Sequence, residues 1–454
     1  MIETEAGFSR NQKLAVLAAG FAAWMFAGLE NALFVLIHRQ MMLSLLPAGS
    51  AEAVITEWFA WNQAAFMLGA AVGGWLFGLM GDRIGRTRAL GASVLCYSLL
   101  TLAAWWITQP GLMCGLRFLA MLGFGGTWPN AVSLVTEAWP GASRPLLAGV
   151  MGTAANFGFV LLGTIALKFE VTPDSWRWTL LVGGSPAILG LLILWLVPES
   201  RRWLAQRAAG VAGSTAGAPI RSSVTSQLFK PPLLSRTLIG ILLGAVPVIG
   251  TAANANWVVP WRDQVAARQA EQAASAVPAQ GNATSAKKKS GQNPRDKART
   301  MISRSSGAIF GSLLGGLIAT VAGRRFSYFL ISLATFAVSS LLFGTMQPDD
   351  PWFDWAVFLL GFFGVAYFGW LPLFLPELFP VNVRATGSGI SFNSGRIAAA
   401  AVSIFVGLRM SSFGGDYSAI GLWTGLIYAV GMLVIWLAPS ESRKPQPASQ
   451  NSQT

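Results

Sequence analysis

Glu30 and Arg117 stand inside stretches that are otherwise almost wholly apolar. Charge in such surroundings is costly, and where it occurs it usually faces a protein interior or a wet cavity and serves a function. Their spacing places them at one depth. Glu30 follows Lys13 by seventeen residues, about 25 Å of helix, and Arg117 precedes Glu137 by twenty, about 30 Å. On helices of opposite direction that start from one face, the two can meet, and pairing offsets part of the desolvation cost. A static structural ion pair is the plain alternative. Arg396, in "FNSGR", lies twelve residues past Arg384 and also falls near mid-span, where it either meets an anion or caps the carbonyls of a kinked helix. Arg304 starts its span and is expected to snorkel to the outer interface. Asn62, Gln63, Asn130, Asn156, Asn254, Asn256 and Asn393 lie within apolar runs, and each needs a partner in the protein or a wet cavity. Trp128 and Trp370 can stack on a ring or pack in a core. Pro129, Pro186, Pro247 and Pro372 free backbone carbonyls and permit bending.

The elements that position these residues are membrane spans. The chain is 53% hydrophobic and 11% charged, with mean hydropathy +0.53, against a charged fraction of about 25% in soluble domains. Apolar runs long enough to cross about 30 Å of hydrocarbon recur twelve times, near 14–37, 58–80, 89–107, 112–137, 146–168, 178–197, 236–259, 304–321, 327–346, 353–376, 386–409 and 419–438. Fifty glycines and nineteen tryptophans suit close helix approach and membrane interfaces. The net charge of +13 does not point to nucleic acid, because the arginines mark helix ends and form no single basic face. Cys96 and Cys114 lie in apolar runs and support neither a disulfide framework nor a metal site, and His38 is the only histidine. The first apolar run is too long for a cleavable signal and lacks a cleavage pattern.

Arg83, Arg86, Arg88, Arg144, Arg201, Arg202, Arg324, Arg325 and Arg384 fall in loops on the side of the termini, while Glu52, Glu57, Asp174, Asp349, Asp350 and Asp354 fall opposite. The positive-inside rule then makes both termini cytoplasmic. Residues 205–235 read as a cytoplasmic linker and 440–454 as a disordered cytoplasmic tail. The polar stretch 262–303, with Lys287–Lys289, reads as a long outer loop whose length lets it cross despite its charge. Asn282-Ala283-Thr284 within it is a glycosylation triplet, more often chance than used.

The sequence repeats. Gly78, Gly85 and Arg86 of "GLMGDRIGR" match Gly316, Gly323 and Arg324 at an offset of 238, and "EAWPGASR" from Glu137 to Arg144 matches "ELFPVNVR" from Glu377 to Arg384 at 240. "PESRR" from Pro198 has a counterpart at Pro439. The chain therefore reads as an all-α membrane protein: twelve transmembrane helices, two six-helix halves in parallel repeat, 1–204 and 236–439. Asp82 and Arg83 are replaced by Thr320 and Val321 in the second copy, so a charged latch at the cytoplasmic face should be weaker there. A mere topology marker is the alternative.

At these motifs the chain resembles the major facilitator superfamily. "GLMGDRIGR" is similar to its signature loop, and "PESRRWL", with Glu199, to a motif of the sugar-porter branch and related metabolite symporters. Residues 117–140 and 375–396 are similar to the same branch and to aromatic-acid and nicotinate-type proton symporters. The resemblance implies alternating access about a central site. It implies proton coupling through Glu30 and Arg117, because that branch places an acid on span one and an arginine on span four. It implies gating by Gly78, Asp82, Arg83, Gly85, Arg86, Glu137, Arg144, Glu199, Arg324, Glu377 and Arg384. Because span seven often lines the cavity in that superfamily, Asn254, Asn256 and Trp257 lead the substrate candidates, with Asn156, Asn393 and Arg396. The expected partners are a small polar solute (an organic acid or a sugar), protons and the bilayer, with the protein a monomer. Without a phosphate loop, nucleophile constellation or metal cluster, no cofactor and no enzyme activity are expected. A uniporter or exporter of the same fold, or a sensor that has lost transport, are the alternatives.

Overall fold

The computed structural model describes residues 8–139, 144–208, 226–275, 295–380 and 383–439. Twelve helical stretches are long and apolar enough to cross a membrane. They comprise α1 (Arg10–Leu45), α2 (Glu52–Ile84), α3 (Arg86–Ala103), α4 (Pro110–Ala138), α5 (Arg144–Lys168) and a sixth span in two pieces, α6 (Trp178–Gly184) and α7 (Ala187–Leu196), broken at Pro186. A short α8 (Arg201–Ala208) follows. The seventh span joins α9 (Leu233–Ala253) to α10 (Val258–Ser275) through a 3-10 turn, Ala255–Trp257. Then come α11 (Asp296–Val321), α12 (Arg324–Thr345), α13 (Phe353–Phe374), α14 (Arg384–Leu408) and α15 (Tyr417–Val434).

Local signals start several of these helices. Ser9 caps α1 in a reciprocal capping box with Gln12, Pro110 occupies the first turn of α4, and Asp416 accepts from the Ser418 amide to cap α15. Gly85 (φ 111°) turns α2 into α3, and Gly323 (φ 79°) turns α11 into α12. Both sit in the left-handed region that glycine tolerates best, which explains why the duplicated motif keeps a glycine at each.

Packing follows the repeat. In the first half α2 lies on α4, α1 on α5, and α3 on α6 and α7; in the second α11 lies on α13, α9 on α14, and α12 on α15. Two seams join the halves, α2 against α14 and α5 against α11. Glycines set the closest approaches. Gly307, Gly311 and Gly315 put α11 directly on the backbone of α13 at Phe358, Phe362 and Ala366, and Gly73 does the same for α2 on α4 at Leu122.

The same residues gauge how far the halves are apart. At the end of the bundle away from the termini, a side chain at Gly407 would meet Ala60 at 3.0 Å and one at Gly163 would meet Ile302 at 2.7 Å. Midway, Gly74 faces Asn393 at 3.5 Å and Gly152 faces Ser312 at 2.7 Å. About one turn closer to the terminal end, Gly78, Gly389 and Gly149 have nothing within 4 Å. Both seams are closed at the far end and open toward the termini.

The expected loop 262–303 is shorter than its composition suggested. Helix runs to Ser275 and resumes at Asp296, because the charges there are satisfied in pairs: Arg262 with Asp354 at 2.7 Å and Lys297 with Asp263 at 3.5 Å. The triplet at Asn282 and Lys287–Lys289, most of the linker 205–235 and the tail 440–454 lie outside the described residues.

Replacing Gly311 with Leu should lower stability by about 1–3 kcal/mol, since α11 cannot move off α13 without opening the half. Gly149→Ala, set in open space, should stay within about 0.5 kcal/mol of the parent. Thermal melts of the detergent-purified variants decide this, and equal losses at the two sites would contradict backbone-to-backbone packing.

Candidate substrate and proton sites

Glu30 is 2% exposed and Arg117 7%. They line one small cavity of about 30 Å³, together with Phe34, Thr101, Leu116 and Leu180, room for about one water. Thr101 of α3 donates to Glu30 Oε1 at 2.7 Å, while Oε2 has no partner and faces Gly183 of α6. The Arg117 guanidinium lies 4.2 Å from the Phe34 ring centroid and 5.6 Å from that of Phe66, with Nε and Nη2 unpartnered. No direct ion pair closes between the two among the described residues, though both line the one cavity. Thr101, Gly183 and the phenylalanines were not singled out from the sequence. Phe34 is one turn beyond Glu30 on α1, while Thr101, Gly183 and Phe66 come from other helices, and only the fold brings those to the site.

Arg304 does not snorkel. It is 5% exposed, and its Nη1 donates at 3.0 Å to Asn256 in the 3-10 turn of the seventh span. Helix α11 begins at Asp296, two turns earlier than hydropathy placed it, which carries Arg304 below the surface. Its Nε and Asn256 Nδ2 have no partner, and its guanidinium lies 5.0 Å from the ring of Phe159 on α5, across the seam. Arg396 is 8% exposed and donates to the Ala70 carbonyl of α2 at 3.0 Å. It caps a carbonyl, as one alternative held, but on the opposite half and not on its own helix. No carboxylate lies within ion-pairing distance of Arg304 or Arg396 among the described residues.

The polar candidates divide. Asn254 is fully buried and held within the second half: it donates to the Gly421 carbonyl at 2.7 Å and to Thr424, and accepts from Ser339 at 3.1 Å. Trp257 is buried against Phe59 and Tyr417, with its indole N–H on the Ala252 carbonyl. Asn130 ties α4 to the Phe77 carbonyl of α2, and Gln63 reaches the Ala252 carbonyl across the halves at 3.4 Å. Asn156 and Asn393 are half-buried at the seams. Trp370 is core, bonded to the Arg324 carbonyl and Ser327. Trp128 is half-buried and pairs at 4.9 Å with Trp24, a residue the sequence reading passed over.

A profile of the Major Facilitator Superfamily matches residues 14–264, more than half the chain. The chain belongs to this superfamily. It is 25% identical to the cis,cis-muconate transport protein of Acinetobacter baylyi, over 89% of this chain and 91% of that protein. It is 24% identical to the niacin transporter of the same organism, over 93% and 92%, and 35% identical to a 4-hydroxybenzoate transporter of Pseudomonas aeruginosa over 32% and 33%. The structure superimposes on the xylose transporter of E. coli in a partially occluded inward-open conformation with TM-score 0.67 at 16% identity, covering 94% of this chain and 97% of that one. The protein is thus a multi-pass membrane transporter of the superfamily rather than an enzyme.

The superfamily's loop motif occupies the terminal end of the bundle. Asp82 pairs with Arg86 at 2.7 Å, and the Glu199 carboxylate accepts from the Thr87 and Arg88 amides at the start of α3, where the helix dipole favours an anion. A side chain at Gly85 would run into that carboxylate. Glu137 accepts from Ser200, and Trp203 bonds the Asp82 carbonyl. In the second half Arg324 grips Glu377 through both nitrogens, at 2.5 and 2.9 Å. That bidentate pair answers the expectation of a weaker second latch: with Thr320 in place of an aspartate, the arginine turns to the duplicated glutamate. Arg384 bonds its own Phe379 carbonyl. The side chain of Arg144 lies outside the described residues, Gly78 borders the open part of the seam, and Arg83 is exposed near the end of α2.

Removing Arg117 as Arg117→Ala should cost about 1–3 kcal/mol, because Glu30 stays buried without the cation that shares its cavity. Adding Glu30→Gln should recover more than half of that loss. Thermal melts of the parent, both single variants and the double close the cycle, and additive losses would show that the two groups do not interact.

Proposed function

We propose that this chain is a proton-coupled secondary transporter of small organic acids that works by alternating access. One observation carries the reading. Within the described spans four cations are buried, Arg117, Arg304, Arg396 and Lys297, against one buried carboxylate, Glu30; Lys297 has Asp263 at 3.5 Å, which leaves three arginines to one acid. Bare charge in a low-dielectric interior is costly, and an anionic substrate supplies the missing counter-charge. Arg304 Nε and Asn256 Nδ2, both unpartnered, are donors suited to one carboxylate. The half-buried Trp24, Trp128 and Phe392 offer faces for a ring or a conjugated chain. Muconate, gallate and 4-hydroxybenzoate, carried by the relatives that bear those names, are such anions. The xylose carriers, 17% identical or less, bear on the fold alone.

In this reading Glu30 takes a proton from outside and releases it inside as movement of the halves changes its distance from Arg117. Arg304, Asn256, Arg396, Asn156 and Asn393 hold the substrate, Trp257 and Asn254 brace the break in the seventh span, and the charged loops at the terminal end gate it. Both termini are cytoplasmic, the halves are 1–204 and 236–439, and the unit is a monomer.

A thermal-shift screen of purified protein with aromatic and unsaturated organic acids, sugars as controls, should stabilise it with acids only. In liposomes, uptake of the hit should rise with an inward proton gradient. Glu30→Gln should keep counterflow exchange and lose gradient-driven accumulation, and unchanged accumulation would overturn coupling. Arg304→Gln or Arg396→Gln should weaken the hit about ten- to a hundredfold, the worth of a charged hydrogen bond, and normal affinity in both would overturn the acid-binding assignment.

A further inference from the structure

We infer that Asp263 and Lys297 form a latch that holds the far end of the bundle shut, and so act as positioning residues of the transport cycle; this rests on the alternating-access reading. Asp263 lies on α10 just past the break in the seventh span, and Lys297 on the first turn of α11. They pair with each other at 3.5 Å, and each also reaches across to the other half. Gln40 of α1 donates to both Asp263 oxygens, at 3.2 and 3.4 Å, and Lys297 donates to the Val171 carbonyl beyond α5 at 3.5 Å. Lys297 is 5% exposed. The polar contacts described at the terminal end, Asp82 with Arg86, Glu199 with the α3 amides and Arg324 with Glu377, each stay within one half.

The distribution has a physical logic. The ion pair belongs wholly to the second half, so parting the halves strips neither charge of its partner. What the pair sends across the seam is three stretched hydrogen bonds to neutral groups, two from the Gln40 amide and one to the Val171 carbonyl, which water can replace as the gap opens. A cross-seam ion pair would oppose opening more strongly, and an apolar contact alone would give no register. Below the latch, the buried Met301 and Trp257 continue the far-end core, which only opens once those bonds are gone. Around the ion pair stand Gln40, His38 and Arg39 on α1, Val171 beyond α5, Tyr417 on α15, and Arg262, which is itself tied to Asp354 and Thr300; Arg39, a cation of the first half that acts on Asp263 through space, is held by Glu52 at 3.0 Å.

The experiment uses the full chain with Cys96 and Cys114 replaced by Ser and one reporter cysteine at a time. Met301→Cys reports the far end and Gly389→Cys the terminal end, each labelled with a membrane-impermeant maleimide in vesicles of both orientations. Gln40→Leu and Lys297→Met should each raise far-end labelling at least threefold and lower terminal-end labelling in parallel, while Arg299→Gln, an exposed neighbour, should change neither. Rising labels at both ends would indicate a loosened fold and overturn the latch, as would unchanged rates. Gly407→Trp, a wedge against Ala60, provides the independent arm. If it shifts both reporters reciprocally and the latch variants do not, the latch falls and alternating access stands; if it shifts neither, alternating access falls and the latch with it.

Discussion

A charge buried where water and lipid headgroups cannot reach it must be compensated by the protein or by what the protein binds, and that constraint organises this molecule. Glu30 meets it through the Thr101 hydroxyl and the nearby Arg117. Arg117 meets it in part through the faces of Phe34 and Phe66, an electrostatic contact that strengthens away from water. Most of these partners come from different helices, since one helix offers a residue only its neighbours one turn away. The first half therefore has to bring α1, α3, α4 and α6 within a side chain's length of one point. Gly183, which faces the carboxylate, and Gly28, which lies on the backbone of Ala155, are where the helices come close enough.

The same small residues determine where the molecule can change shape. Close backbone packing such as α11 on α13 resists bending, so each half moves as a block. The seams are less tightly joined. Along both, glycine contacts at the far end and mid-depth give way to open space toward the termini. This tapering seam is what the proposed alternating access requires: a rocking of one half on the other would exchange the closed end for the open one. The parallel repeat supplies matching surfaces, since span two meets span eleven on one side and span five meets span eight on the other.

Much of this was legible in the residues, and what was not has a common cause. Span number, the duplication and the shared depth of Glu30 and Arg117 follow from periodicity and from 1.5 Å per residue, which need no tertiary knowledge. Hydropathy fails at the ends of spans, where polar residues continue a helix because they are paired. Arg262, Asp263 and Lys297 looked like loop for that reason, and Arg304 was placed at a surface two turns away from where α11 begins. Composition also cannot say whether a polar side chain in a span is satisfied. Asn254 and Asn256 are two residues apart and alike in sequence terms. One is saturated by Gly421, Thr424 and Ser339, while the other bonds only an arginine that itself wants an anion. The cue for Arg304 was its isolation: a basic residue followed by a glycine-rich stripe, with no acid within helical reach.

The duplication is not a symmetry of function. Both halves keep the glycine turn and the loop-end glutamate, but they use them differently: Arg86 stays on Asp82, and Arg324 crosses to Glu377. At mid-depth the first half holds the buried acid, and the second holds the broken span and two of the three buried arginines. Under the proton coupling proposed above, this separation has a use. If proton and substrate sites sat in one rigid block, movement of the halves would leave their mutual field unchanged. In that proposal the sites lie in opposite halves, with Arg304 beside Phe159 and Arg396 on the Ala70 carbonyl, so that the substrate's charge would enter and leave the environment of the first half as the seam opened and closed. The energetic link between the two cargoes is then the seam itself.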